Sequence, residues 1–176
     1  MWGRVRPSAN SRQIGPSLAT YPLDVNYNNP HLPSTIYHLP TAMTRFTIRR
    51  LVEFQDTDMA GIMHFTAYFR FMEAAEHAFL RSRGLSVFLE DDEGKISWPR
   101  VAVHCDYTAP ARFSEELEIE VRVARLSRRS VTYDFLFYHD GRQLAQGTMT
   151  SVCCRFPPDA PPHSIAIPPA IRAQLE

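Results

Sequence analysis

Two carboxylates and a histidine stand close together in the run Glu53-Phe54-Gln55-Asp56-Thr57-Asp58-Met59-Ala60-Gly61-Ile62-Met63-His64-Phe65. The run begins with a strand pattern, passes through an acidic turn containing Gly61, and enters a helical pattern at Phe65. A helix start presents unpaired backbone N–H groups and a partial positive charge, which can hold an oxyanion or keep a nearby carboxylate ionised. Asp58 is the first candidate for that carboxylate. By themselves both Asp56 and Asp58 also read as turn or N-cap residues that bond nearby backbone N–H groups.

The element that must position these groups is a helix over residues 65–83. At 100° per residue it places Thr66, Arg70, Glu73, His77 and Arg81 on a polar stripe, with Tyr68, Phe71, Met72, Ala75 and Phe79 opposite. Gly84 follows as a left-handed cap, closing the helix after about five turns. His64 falls on the apolar side if the helix reaches back that far, and reads as a satisfied structural histidine facing the sheet. Tyr68 and Met72 read as core or as the lining of a site. Glu73 reads as an ion-pairing or subunit-contact residue.

Strands surround that helix. Residues 44–54 alternate with one slip at Arg49-Arg50, which predicts a bulge. Residues 85–97, including Glu90-Asp91-Asp92-Glu93-Gly94, read as a solvated loop. Residues 98–107 set Val101, Val103 and Cys105 on one face, and residues 116–126 set Leu117, Ile119, Val121 and Val123 against Glu118, Glu120 and Arg122. Residues 130–139 and 142–156 meet at Asp140-Gly141, a strong hairpin signal. One helix followed by a run of strands predicts an α+β class.

The turn Asp56-Thr57-Asp58-Met59-Ala60-Gly61, followed by Tyr68 and Phe71-Met72-Glu73, resembles the hotdog-fold acyl-CoA thioesterases of the 4-hydroxybenzoyl-CoA thioesterase type. The resemblance covers roughly residues 44–157. It implies one long helix wrapped by a single antiparallel sheet, and hydrolysis of an acyl-CoA with no metal and no cofactor. Asp58 takes the place of the catalytic carboxylate, and the Phe65 backbone N–H polarises the thioester carbonyl. Some members carry a histidine seven residues after that Asp, where this chain has Phe65, with His64 one residue earlier. His64 is kept as a second catalytic candidate, and Gly61 and Tyr68 as substrate-binding residues. The basic turn Arg125-Leu126-Ser127-Arg128-Arg129-Ser130 reads by itself as a solvated hairpin, but related enzymes use a basic turn there for coenzyme A phosphates, which selects Arg128 and Arg129. In this fold the site usually forms between subunits, so a homodimer or homotetramer is expected, with these arginines serving a partner's Asp58. Direct attack by Asp58 and general-base activation of water both stay open. A non-catalytic acyl-CoA-binding protein and a hotdog dehydratase or hydratase are the alternatives. The absence of a Gly-x-Ser-x-Gly elbow excludes a serine hydrolase of the α/β type.

Composition bounds the rest. At 176 residues the chain suits one domain, and 19 basic residues balance 19 acidic ones, so no global field draws it to nucleic acid or membrane. Cys105, Cys153 and Cys154 lack metal-ligand spacing and read as thiols in a reducing cytoplasm. Residues 1–42 form a Pro-rich arm without apolar periodicity, read either as extended or disordered chain or as sequence upstream of a start at Met43. The arm lacks the apolar core of a secretory signal. Residues 43–157 form the domain, and 158–176 a Pro-rich tail ending in a short helical turn.

Overall fold

The computed structural model describes residues 45–91 and 93–176. The expected arm, residues 1–42, lies outside them. In chain order the elements are β1 (Phe46–Leu51), a 3-10 turn (Phe54–Asp56), α1 (Phe65–Ser82), β2 (Phe88–Asp91), β3 (Gly94–Ser97), β4 (Arg100–Tyr107), β5 (Glu116–Leu126), β6 (Ser130–His139), β7 (Arg142–Val152), β8 (Cys154–Phe156), β9 (His163–Ser164) and α2 (Pro169–Leu175). Five strands form one antiparallel sheet in the order β1-β5-β6-β7-β4, and α1 packs on its inner face. This is the α+β hotdog arrangement. The short strands add a second sheet, β2-β3-β8-β9, which the sequence reading did not contain.

Alternation explains the main sheet. Leu117, Ile119, Val121 and Val123 of β5 and Val131, Tyr133, Phe135 and Phe137 of β6 are buried against α1, whose Ala67, Tyr68, Phe71, Met72, Ala75, Phe79 and Leu80 complete the core. Burying each large apolar side chain contributes roughly 2 kcal/mol. On the outer face the register sets opposite charges together: Arg49 meets Glu118 at 2.5 Å and Arg122 meets Asp134 at 2.6 Å. The Asp140-Gly141 turn takes positive φ at both residues (48° and 75°), the twist-matched two-residue hairpin. Gly147 on β7 lets α1 approach, because a Cβ there would meet the Met72 sulfur at 2.4 Å. The C-terminus of α1 closes as predicted, with Gly84 at φ 69° and the Leu85 N–H donating to the Leu80 carbonyl.

Three expectations are corrected. β1 pairs with β5 without interruption, and no bulge occurs at Arg49-Arg50, because Arg50 lays its guanidinium over the Phe71 ring at 4.9 Å and so occupies the inner face. A register shift lies instead between Val123 and Arg125. The acidic segment forms the β2–β3 hairpin, clamped by Arg155 of β8, which pairs with Asp91 and, at 3.2 Å, with Glu93. Val101 and Val103 are 62% and 46% exposed on β4, the edge strand of the sheet.

Sequence reading also missed Glu76, which lies fully buried on the inner face of α1. Arg100 pairs with it at 2.5 Å and Ser151 donates to its other oxygen at 3.4 Å. Burial raises the Glu76 pKa, and Arg100 opposes that shift.

The tail packs on the domain. β9 pairs with β8, and Ile167, Ile171 and Leu175 are buried with the core.

Candidate active site

The turn before α1 is held from both sides. Thr57 bridges Met63, the Asp58 N–H donates to the Ile62 carbonyl, and the His64 N–H donates to the Asp56 carbonyl at 2.8 Å. Residues 57–58 therefore run antiparallel to residues 62–63, which brings Asp58 beside the residues that open the helix. Gly61 closes the loop at φ 73°, a conformation that favours glycine, with open space around it. The Met63 N–H donates to the Ala111 carbonyl, the Ser114 N–H to the Val52 carbonyl and the Val52 N–H to the Glu115 carbonyl, so the segment before β5 supports the turn.

The two aspartates differ in environment. Asp56 is buried: it accepts from Arg70 of α1 at 2.8 Å and from the Glu53 N–H at 3.1 Å, tying the turn to the helix. Asp58 is exposed. One of its oxygens accepts from the Ala60 N–H at 2.8 Å, and it forms no ion pair among the described residues. Asp56 is thus a strut, as the sequence suggests, and Asp58 presents a carboxylate with an oxygen free for chemistry.

His64 does not face the sheet, contrary to expectation. It is the N-cap of α1: its Nδ1 accepts from the Thr66 N–H at 3.3 Å and lies 2.7 Å from the Thr66 hydroxyl. The spacing His64-Phe65-Thr66 carried that signal, but histidine is an uncommon cap. Replacing His64 with Ala should cost about 1 kcal/mol of stability, the size of a lost cap, with a drop in kcat well short of that from Asp58→Asn; thermal melts and turnover measure both.

Phe65 is the first residue of α1, and its N–H donates to no group among the described residues. Its ring is 56% exposed. Its carbonyl accepts from the Tyr107 hydroxyl at 3.2 Å, so the open edge strand β4 anchors the first turn of the helix. Tyr107 escaped the sequence reading because nothing in an alternating strand marks which residue bonds a helix start. Tyr68 is buried, its ring against Tyr107 at 5.0 Å and Phe137 at 5.2 Å, so it supports the wall behind Tyr107. Burial pushes both phenols up to about 12, and they remain protonated donors at neutral pH.

Arg128 and Arg129 stand exposed in the turn between β5 and β6. Neither they nor Arg125 pairs with a carboxylate among the described residues, and the same holds for Arg50, Arg81, Arg83, Arg112 and Arg142, whereas Arg45, Arg49, Arg70, Arg100, Arg122, Arg155 and Arg172 do pair. Within one chain this turn lies far from Asp58. β5 starts beside Leu51 and Val52 at the Asp58 end and runs to Leu126, about 33 Å away at strand rise. A small cavity of about 30 Å³ lined by Arg45, Glu120, Arg122 and Asp134 sits on the sheet's outer face, away from this chemistry.

Comparison with known proteins agrees with this geometry. The model of the thioesterase-like superfamily matches residues 52–175. A 1,4-dihydroxy-2-naphthoyl-CoA hydrolase of Synechococcus elongatus is 26% identical over 112 residues, which is 63% of this chain and 82% of that protein. The solved structure of a gentisyl-coenzyme A thioesterase superposes with a TM-score of 0.63 at 27% identity, covering 76% of this chain and 100% of that one. A protein of Aquifex aeolicus superposes with a TM-score of 0.66 at 25% identity, covering 74% and 99%. The chain belongs to the thioesterase-like superfamily, as a hotdog-fold thioesterase of the 4-hydroxybenzoyl-CoA thioesterase type. Among the described residues no helix is long and apolar enough to cross a membrane.

Proposed function

We propose that this protein hydrolyses an aromatic acyl-CoA in the cytoplasm, with Asp58 as the reacting carboxylate and the Phe65 N–H as an oxyanion donor. The observation that carries the reading is the exposed Asp58 carboxylate held beside a helix start whose first N–H has no partner. An acyl carbonyl resting on that N–H develops negative charge as it is attacked, and a preorganised donor stabilises the charge. The attacking oxygen is either that of Asp58, giving a mixed anhydride that water then opens, or that of a water deprotonated by Asp58. In both routes a C–O bond forms, the C–S bond breaks, and the departing thiolate takes up a proton as coenzyme A is released. An aromatic acyl group is favoured by the names of the relatives and by the exposed rings of Phe65 and Tyr107 next to the site.

The working unit is a homodimer paired through β4. That strand's outer edge is open, and Val101, Val103 and Tyr107 are exposed along it. Arg100 begins β4 at the end where the Arg129 carbonyl accepts from the Cys153 N–H and the Pro99 carbonyl from the Val152 N–H; Tyr107 ends it beside Phe65. Antiparallel pairing of two β4 strands sets the Arg100 end of one chain against the Tyr107 end of the other. The partner's basic turn then lies on the side of this chain's Asp58, which removes the 33 Å problem. A dimer of such dimers keeps the same geometry.

Replacing both Arg128 and Arg129 with Ala should raise KM for acyl-CoA about tenfold or more, each arginine contributing a charge-assisted bond to phosphate, and leave a short thioester without the nucleotide unaffected. Equal losses on both substrates would assign the arginines to folding.

A further inference from the structure

The turn that carries Arg128 and Arg129 is built by the C-terminal tail. All three of its carbonyl oxygens are engaged: that of Ser127 accepts from Arg172 at 3.2 Å, that of Arg128 from the Ile167 N–H at 2.9 Å, and that of Arg129 from the Cys153 N–H at 2.8 Å. Within the turn the Ser127 hydroxyl accepts from the N–H groups of Arg129 and Ser130. The Arg129 guanidinium donates to the Ser164 hydroxyl at 3.1 Å, while Arg128 makes no side-chain bond among the described residues. Three of these partners, Ser164, Ile167 and Arg172, belong to the tail.

Two physical consequences follow. Carbonyl oxygens repel an anion, and tying them into the protein leaves the guanidinium groups as the electrostatic face of the turn. A serine that accepts from Arg129 also directs its own hydroxyl hydrogen away from the guanidinium, and both Ser164 and Arg129 are exposed. Arginine side chains lose rotamer freedom when they are fixed, so a side chain held before the ligand arrives binds it at a smaller cost.

We propose that Ser164 and Arg172 are positioning residues for the nucleotide end of coenzyme A: Arg172 fixes the backbone of the basic turn and Ser164 fixes the Arg129 side chain. This rests on the reading that Arg128 and Arg129 meet the phosphates. It makes the tail part of substrate recognition as well as of the core, and it separates affinity for the nucleotide from the acyl chemistry at Asp58.

The test is calorimetric binding of free coenzyme A to the full chain, with turnover of S-benzoyl-N-acetylcysteamine, which lacks the nucleotide, as the control. Ser164→Ala and Arg172→Met, the latter keeping the aliphatic stem, should each weaken coenzyme A binding about three- to tenfold, the scale of one net hydrogen bond. Ser164→Thr, which retains the hydroxyl, should bind like the wild type, and turnover of the short thioester should be unchanged in all three. Unchanged coenzyme A affinity in Ser164→Ala and Arg172→Met, alongside a loss in the Arg128→Ala/Arg129→Ala double variant, overturns the positioning role and leaves the phosphate reading standing. Unchanged affinity in the double variant overturns both. Equal losses on coenzyme A and on the short thioester reduce the tail to a folding role and also overturn the proposal.

Discussion

Asp58→Asn should lower kcat by about two orders of magnitude or more, the usual scale for a lost catalytic base, while acyl-CoA still binds. The substitution keeps the shape of the side chain, and the amide oxygen can still accept from the Ala60 N–H, so the turn should hold. Asp58 is exposed and pairs with no cation among the described residues, so removing its charge leaves no buried group unpaired. The thermal midpoint should therefore stay close to the wild type while turnover falls. Asp56→Asn provides the contrast: it weakens the bond to Arg70 at a buried site and should lower stability first. A kcat within a few-fold of wild type in Asp58→Asn would sink the assignment, and a larger loss in His64→Ala would move the chemistry to the histidine.

Val103→Glu should separate the proposed dimer and, with it, most of the activity. Val103 is 46% exposed on the open edge, so the monomer has room for a larger polar side chain and should remain folded. In an antiparallel pairing of two β4 strands the new carboxylates approach one another, and like charges across such a pair are unfavourable. Without its partner Asp58 loses the basic turn that faces it, so acyl-CoA should bind about tenfold or more weakly, as in the Arg128→Ala/Arg129→Ala variant. Sedimentation should give one chain mass in place of two, with kcat/KM for acyl-CoA down by that factor. A fully active monomer would contradict the trans arrangement.

The sequence was most legible where periodicity and turn chemistry were local. Alternation in Glu116–Leu126, the Asp140-Gly141 hairpin and the Gly84 cap each predicted what the structure shows, because each depends on neighbours a few residues apart. The acidic turn and the helix start were legible for the same reason. Long-range facts were not. Val101 and Val103 alternate like core residues, and only the strand order reveals that they line an open edge. Glu76 carries no local signal of burial, because its partner Arg100 stands 24 residues along the chain. The acidic hairpin looked like solvated loop because its partner, Arg155, comes from β8. His64 was misread because its acceptor role depends on where the helix begins, and a shift of one residue changes a facing side chain into a cap. The span between Asp58 and the basic turn needed the whole sheet, and it is this distance that makes a second chain necessary to the account.

Release of the coenzyme A thiol tests the central claim most directly. The full chain should be mixed with benzoyl-CoA, gentisyl-CoA and 1,4-dihydroxy-2-naphthoyl-CoA under saturating conditions, with an aliphatic acyl-CoA alongside, and thiol followed in time. At least one aromatic thioester should give saturable release with a turnover of about 1 s⁻¹ or faster, within the ordinary range for enzymes, and Asp58→Asn should abolish most of it. Acyl-CoA bound tightly with no thiol released by the wild-type protein would contradict the account and identify a binding protein that has kept the site without the reaction.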